Sequence, residues 1–147
     1  MAEFIYNEVQ QVEGGQAAVL NDAIPCNHQP QLVVHRAGSG ILTLRGIVAN
    51  QCAAFARYKV MYDANIAVPE SGTPGEIQTA LAIGGEVVPT SIAAVTPTVA
   101  QAYFNVAGFA IIDVPKGCCY TVSVENATTA DTAIEMRNLN VEVTRLA

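Results

Sequence analysis

The chain has 147 residues, of which 51% are apolar and only 14% are charged. Soluble domains average about 25% charged residues, so this composition predicts that part of the apolar surface is buried against other chains. An Ala-rich and Thr-rich surface over an ordinary two-layer core is the alternative. The seven basic residues are outnumbered by 13 acidic ones and form no run, which argues against a nucleic-acid partner.

No apolar stretch approaches the roughly 20 residues of a membrane-spanning helix, and Met1-Ala2-Glu3-Phe4 lacks the basic and then apolar opening of a secretory signal. These features predict no membrane insertion and synthesis in a cytoplasm. No linker rich in Gly, Ser or Pro divides the chain. One domain over residues 1–147 is therefore expected, with residues 1–54 forming its N-terminal strands and hairpin.

The first third of the chain predicts short strands separated by turns. Residues 4–12 are rich in β-forming side chains and end at a Gly-Gly pair, and residues 17–20 can form a further short strand. A loop with two prolines follows. Residues 32–36 and 41–48 then flank a Gly-Ser-Gly turn, which is the pattern of a hairpin.

The middle of the chain gives the strongest alternation. Residues 55–68 place Tyr58 and Tyr62 on a face with other apolar side chains, and the period of two predicts one long half-buried strand. Residues 77–83 alternate in the same way up to Gly84-Gly85, where glycine supplies the positive φ of a hairpin turn.

Three further strands complete the prediction, at residues 101–114, 119–126 and 138–146. Gly108 interrupts the first of them and predicts a β-bulge. About ten antiparallel strands without a long amphipathic helix predict an all-β jelly-roll sandwich, in which two sheets share one core.

The order of several segments between Arg57 and Leu146 carries a family resemblance. The segments are Arg57-Tyr58-Lys59-Val60, residues 79–89 with their Gly-Gly turn, Val114-Pro115-Lys116-Gly117, Tyr120-Thr121-Val122-Ser123-Val124-Glu125 and Val143-Thr144-Arg145-Leu146. This order resembles the C1q/TNF-like trimeric jelly rolls of Firmicutes and their phages, including the heads of collagen-like exosporium glycoproteins. The resemblance implies a homotrimer that serves as a fibre knob or surface decoration. The collagen stalk of the exosporium proteins is missing, because the 11 glycines show no three-residue period.

The aromatic residues expected in or beside the trimer seam or the core are Tyr58, Tyr62, Phe104 and Tyr120. Tyrosine suits both places, because its ring can be buried while its hydroxyl stays paired.

The cysteines are Cys26, Cys52, Cys118 and Cys119. They contain no C-x-x-C spacing, so neither a zinc ribbon nor a thioredoxin-like site is predicted. Free buried thiols are the favoured interpretation. A disulfide from Cys26 or Cys52 to one of the adjacent pair is the alternative.

The two histidines give little support for chemistry. His28 lies two residues from Cys26, a spacing that permits a shared metal, but a polar loop histidine is favoured. His35 is expected as a hydrogen-bonded sheet histidine, and an arrangement of Cys52, His35 and Asn50 has no local nucleophile signature. No phosphate-binding or EF-hand motif is present, so no enzyme, metal site or cofactor is predicted.

The sequence thus favours a non-enzymatic structural protein, a homotrimeric knob used as a phage virion component such as a capsid decoration, head fibre or tail-associated protein. Its expected partners are other virion or surface structural proteins. A module that binds a cell-surface glycan through residues 69–75 or 126–132 is one alternative. A collagen-free protein of the spore surface is another.

Overall fold

The computed structural model describes residues 1–22, 32–46, 52–129 and 132–147. These residues form twelve strands and one 3₁₀ turn at Pro89–Ser91. The strands are β1 (Ala2–Tyr6), β2 (Gln10–Val12), β3 (Asn21–Asp22), β4 (Val33–His35), β5 (Leu42–Arg45), β6 (Phe55–Ala67), β7 (Ile77–Ile83), β8 (Glu86–Val87), β9 (Ala93–Val95), β10 (Phe104–Pro115), β11 (Cys119–Asn126) and β12 (Ile134–Arg145).

The strands pair antiparallel in two six-stranded sheets. The first sheet has the order β10-β6-β12-β1-β3, with β2 also paired to β12. The second has the order β4-β5-β11-β7-β8, with β9 also paired to β7. Two sheets that exchange strands in this way form a jelly roll, which confirms the predicted fold class.

The hydrophobic core lies between the sheets. Its largest fully buried side chains include Tyr58, Tyr62, Phe4, Leu42 and Leu81, drawn from both sheets. In β6 the predicted alternation is confirmed, since every second residue from Ala56 to Ile66 is buried. This inward set brings both tyrosine rings into the core and leaves the other face of β6 outward.

The predicted turns at the two hairpins are also confirmed. Strands β4 and β5 pair with Val33 opposite Leu44. Between β7 and β8, Gly84 and Gly85 both have positive φ, at 59° and 85°, which is the conformation that a two-residue hairpin turn requires.

Three local expectations are wrong. Residues 4–12 are not one strand but parts of β1 and β2, which pair with different stretches of β12. Residues 17–20 contribute only an isolated bridge from Ala17 to Glu125. The third error concerns Gly108, opposite Tyr62 in an unbroken register. It is no bulge; a Cβ there would collide with the Tyr62 ring and the Ser91 carbonyl oxygen.

The irregularity of the first sheet lies instead in β12. The register between β12 and β6 shifts between Arg137 and Asn140, and Asn138 has a φ of 52°. Asparagine tolerates the left-handed region better than most residues, so the bulge falls at a residue suited to it.

Candidate assembly surface

The outward face of β6 and β10 carries an apolar patch, here called the sheet patch. It consists of Phe55, Met61, Phe109 and Ile111, whose exposed fractions are 38%, 38%, 54% and 50%. The register places Phe109 directly opposite Met61 and brings Ile111 opposite Lys59. Adjacent apolar side chains on one sheet face, each about half exposed, are typical of a surface that another protein covers.

Two cations lie within the sheet patch, because Arg57 and Lys59 stand between Phe55 and Met61 on the outward face of β6. Arg57 donates two hydrogen bonds to Asp113, from Nε at 2.7 Å and from Nη2 at 2.8 Å. The guanidinium lies 5.0 Å from the centre of the Phe55 ring, and the Lys59 ammonium lies 5.4 Å from the centre of the Phe109 ring. Both cations therefore lie over aromatic faces, where the ring quadrupole attracts them.

The Arg57–Asp113 pair holds both charges in place at neutral pH. The hydrogen bond and charge of Arg57 lower the pKa of Asp113 below the ordinary carboxyl value. The same contacts raise the pKa of Arg57. The pair is solvent-exposed, with side-chain exposures of 44% and 41%, so it orients side chains more than it stabilises the fold.

Beside the sheet patch lies a polar hollow of about 100 Å³, lined by Met61, Tyr62, Asp63, Ala107, Asn140 and Glu142. Asp63 is the direct cross-strand partner of Asn140. The Asn140 side chain donates from Nδ2 to Glu3 at 3.0 Å, while its Oδ1 is buried and accepts no hydrogen bond from the described residues. Burial raises the pKa of Asp63 above the ordinary carboxyl value.

Three further exposed apolar side chains, here together called the sandwich edge, lie in the segment that runs from the 3₁₀ turn through β9 to the start of β10. Its exposed residues are Ile92, Val99 and Phe104, at 42%, 63% and 45%. Ile92 follows the 3₁₀ turn, which packs against β10 at Gly108. Phe104 opens the outermost strand of the first sheet. The sandwich edge and the sheet patch are different surfaces that share β10.

The four predicted aromatics are divided between core and surface. Tyr58 and Tyr62 are 0% and 2% exposed and belong to the core. The Tyr62 hydroxyl lies 3.0 Å from the carbonyl oxygens of Thr79 and Ser91 and from the Thr79 hydroxyl. Tyr120 is half-buried against the core. Only Phe104 is exposed.

The strongest surface residues of the sheet patch, Phe109 and Ile111, were missed. The sequence of β10 is apolar at nearly every position around them, so a period of two does not tell inward from outward there. The available signal was the pairing with β6, whose outward positions are marked by Arg57, Lys59 and Asp63.

The cysteine expectations are answered in part. Cys118 and Cys119 are exposed free thiols, and Cys52 is exposed too, so the favoured expectation of buried thiols is wrong for these three. Cys26 lies outside the described residues. The proposed disulfide from Cys26 or Cys52 to the adjacent pair stays a prediction.

The histidine expectations are also answered in part. His35 Nε2 lies 2.8 Å from the Ser39 carbonyl oxygen, and its ring centre lies 4.9 Å from that of Phe4. It is a hydrogen-bonded sheet histidine, as predicted. His28 and Asn50 lie outside the described residues. In the described ranges no group of three His, Cys, Asp or Glu side chains is placed to hold a metal ion.

The loops suggested for glycan binding differ in their packing. At the start of residues 126–132, Asn126 is fully buried, and its Nδ2 donates to the carbonyl oxygens of Val12 and Thr132. This part of the loop serves to fix the backbone. Residues 69–75 contain a turn closed by Gly72 N–H donating to the Pro69 carbonyl oxygen.

No helix in the described part of the chain is long and apolar enough to span a membrane.

Comparison with solved structures identifies the fold. The chain is similar to a TNF from S. frugiperda, Eiger, with a TM-score of 0.69 and 14% identity over 99% of this chain and 91% of that one. It is also similar to the globular domain of a zebrafish complement 1qA protein, with a TM-score of 0.52 and 16% identity over 97% and 96%. No protein-family model and no curated protein sequence matches the chain. The protein therefore has a C1q/TNF-like jelly-roll fold.

Proposed function

We propose that this protein is a non-enzymatic structural protein that assembles as a homotrimeric knob. The observation that carries the proposal is the sheet patch, whose Phe109 and Ile111 are half exposed in the isolated chain. Covering these side chains removes apolar area from water at about 25 cal/mol per Å². The low charged fraction of 14% supports the same conclusion.

The trimer, rather than a two-fold dimer, is favoured by the two distinct apolar surfaces. A two-fold interface uses the same surface on both copies, whereas a head-to-tail interface joins two different surfaces and forms a ring when the rotation between copies closes. The sheet patch on the outward face of β6 and β10 and the sandwich edge between the 3₁₀ turn and the start of β10 provide two such surfaces. In the proposed trimer, Ile92, Val99 and Phe104 of each copy pack against Met61 and Phe109 of the next.

The proposed setting is a phage virion, in which the knob decorates a capsid, ends a head fibre or joins a tail and contacts other virion proteins. This part of the proposal is supported by the resemblance of residues 57–146 to trimeric jelly rolls of Firmicutes and their phages. Neighbouring genes that encode capsid, portal and tail proteins are the expected finding. Neighbouring genes for spore-coat or exosporium proteins would favour the spore surface instead.

Light scattering on the purified protein tests the trimer. The expected mass is about three times the chain mass of 15.4 kDa, with and without reductant. Ile111→Asp is expected to weaken assembly roughly a hundredfold, because it places a carboxylate in a surface that must lose water. Ile41→Asp is the matched control, since Ile41 and Ile111 are both 50% exposed and Ile41 lies in the second sheet's hairpin.

The outcomes test separately whether the protein is a trimer and which sheet forms its interface. A wild-type monomer at micromolar concentration contradicts the trimer. A trimer that Ile111→Asp leaves intact while Ile41→Asp disrupts it would move the interface from the first sheet to the second. Circular dichroism of both variants checks that the strands remain folded.

A further inference from the structure

We infer that assembly of this protein is coupled to proton uptake at the polar hollow beside the sheet patch, through Asp63 and its cross-strand partner Asn140. The inference rests on the proposed trimer and concerns its regulation. The hollow adjoins the sheet patch, since Met61 belongs to both, so a copy that covers the patch also covers the hollow.

The first step of the argument is the cost of covering Asp63. Its carboxylate is exposed in the isolated chain, and it already lies in a place where the protein removes enough water to raise its pKa. A packed neighbour would remove more water and disfavour the ionised form further. Assembly at a pH where Asp63 is ionised therefore carries a penalty that protonation removes.

The second step is the unpaired oxygen beside it. Asn140 donates through Nδ2 to Glu3, which fixes the orientation of the amide and leaves Oδ1 buried without a donor among the described residues. Residues directly opposite on antiparallel strands have Cβ atoms about 5 Å apart. A carboxylate at Asp63 can only accept, whereas the carboxylic acid has one O–H that can donate to Asn140 Oδ1. Protonation thus gives a donor to an acceptor that is already buried without one in the isolated chain.

The third step is the charge around the hollow. On β12, Glu142 faces it and accepts from the Thr144 hydroxyl at 3.0 Å, and Glu3 on β1 lies opposite Glu142 in the register. On β6, the Lys59 ammonium lies 5.4 Å from the centre of the Phe109 ring, and Phe109 is the cross-strand partner of Met61 at the border of the hollow.

The other cations of this face have partners of their own. On β10 the charged residue is Asp113, which is paired with Arg57. Arg137 of β12 lies over the Tyr103 ring at 3.9 Å. The other acidic side chain that lines the hollow is Glu142, so ionising Asp63 adds a second negative charge there.

The sign of the coupling follows directly. A group whose pKa is higher in the assembled state takes up a proton on assembly, so the trimer gains stability as the pH falls through that raised pKa. One proton per copy changes the trimerisation constant by up to about a thousandfold per pH unit. Because three copies associate, the midpoint concentration changes by the square root of that factor, up to roughly 30-fold per pH unit.

The test is a dilution series by sedimentation velocity at pH values from about 5 to 8 at constant ionic strength, above the ordinary Asp pKa. The wild-type midpoint is expected to fall as the pH falls. Asp63→Asn is expected to assemble tightly with no pH dependence. Asp113→Asn is the matched control: it removes an acid from the same face, but one whose pKa is lowered, so the wild-type slope is expected to remain.

The outcomes distinguish failure of the proton coupling from failure of the trimer. A wild-type trimer with a flat pH profile, or an Asp63→Asn variant that keeps the wild-type slope, overturns the proton coupling and leaves the trimer standing. No association at any pH overturns the trimer and the coupling together. Assembly that chelator abolishes also overturns the coupling, because a metal ion then neutralises the hollow.

If Asp63→Asn does not fold, the wild-type protein alone still gives the answer. Dilution calorimetry in two buffers of different ionisation enthalpy counts the protons released on dissociation. About one proton per copy is expected within the pH window of the transition, and none overturns the coupling.

Discussion

The buried hydroxyl of Tyr62 joins the two sheets, and its removal in Tyr62→Phe is expected to destabilise the fold. The hydroxyl of this first-sheet residue lies 3.0 Å from two second-sheet partners, the Thr79 carbonyl oxygen and the Thr79 hydroxyl. It lies equally close to the carbonyl oxygen of Ser91 in the 3₁₀ turn. A single tyrosine proton is shared by the two carbonyl oxygens, and the Thr79 hydroxyl can donate in return.

The magnitude follows from what the substitution leaves behind. Phenylalanine retains the ring in the core, so the change in apolar burial is small, but buried oxygen atoms lose a partner. Each unsatisfied buried group costs about 1–3 kcal/mol. We expect a loss of about 2 kcal/mol in the free energy of unfolding, which lowers Tm by roughly 4–8 °C for a domain of this size.

Thermal unfolding followed by circular dichroism measures the loss. All variants must be compared at one protein concentration, because assembly shifts stability by mass action. Tyr6→Phe is the control: Tyr6 is half-buried and borders an open hollow, so water can reach its hydroxyl and the expected change is within about 0.5 kcal/mol. If Tyr62→Phe and Tyr6→Phe have the same Tm, the hydroxyl of Tyr62 does not hold the sheets together.

Three further predictions concern other parts of the chain. Gly108→Ala is expected to cost about 1–3 kcal/mol, because its Cβ would collide with backbone and ring atoms, whereas Gly75→Ala meets no atom within 4 Å; equal urea midpoints for the two variants would contradict this packing. In wild type, the stabilisation from the Arg57–Asp113 pair is present at neutral pH and is lost as the pH falls through the lowered pKa of Asp113. Arg57→Gln is expected to raise the pKa of Asp113, and a carboxyl NMR titration that the variant leaves unchanged would refute this prediction. The Cys118–Cys119 pair is expected to react with iodoacetamide in the folded protein, since both thiols are exposed; native mass spectrometry without a double adduct would show that they are covered or bridged.

The sequence predicted those parts of the fold whose determinants are local. The alternation of residues 55–68 marked which face of β6 is buried, and the Gly84-Gly85 pair marked the turn between β7 and β8. Side-chain period and positive φ are properties of a few adjacent residues. The number of alternating segments without a helix predicted the two-sheet jelly roll, and the resemblance to C1q/TNF-like jelly rolls added the expectation of a homotrimer.

Non-local pairing accounts for what the sequence did not show. The break between β1 and β2 lies opposite the bulge in β12 at Asn138. Strand β12 comes more than 120 positions later in the chain than β1 and β2. The unpaired Oδ1 of Asn140 arises only because Glu3 takes up the other end of the amide. Neither Glu3 nor Asn140 has a sequence pattern that would mark it, so the polar hollow could be found only from the folded chain.

The position of β12 has a consequence for how the protein is made. Although β12 is the last strand in the chain, it lies in the middle of the first sheet, between β6 and β1. Until residues 134–145 have left the ribosome, β1 and β6 lack the strand that pairs with both of them. The first sheet, which covers one side of the core, is then incomplete. Pairing of this sheet therefore waits until residues 134–145 have emerged from the ribosome, and a chain that stops before residue 134 lacks the strand that pairs with both β6 and β1.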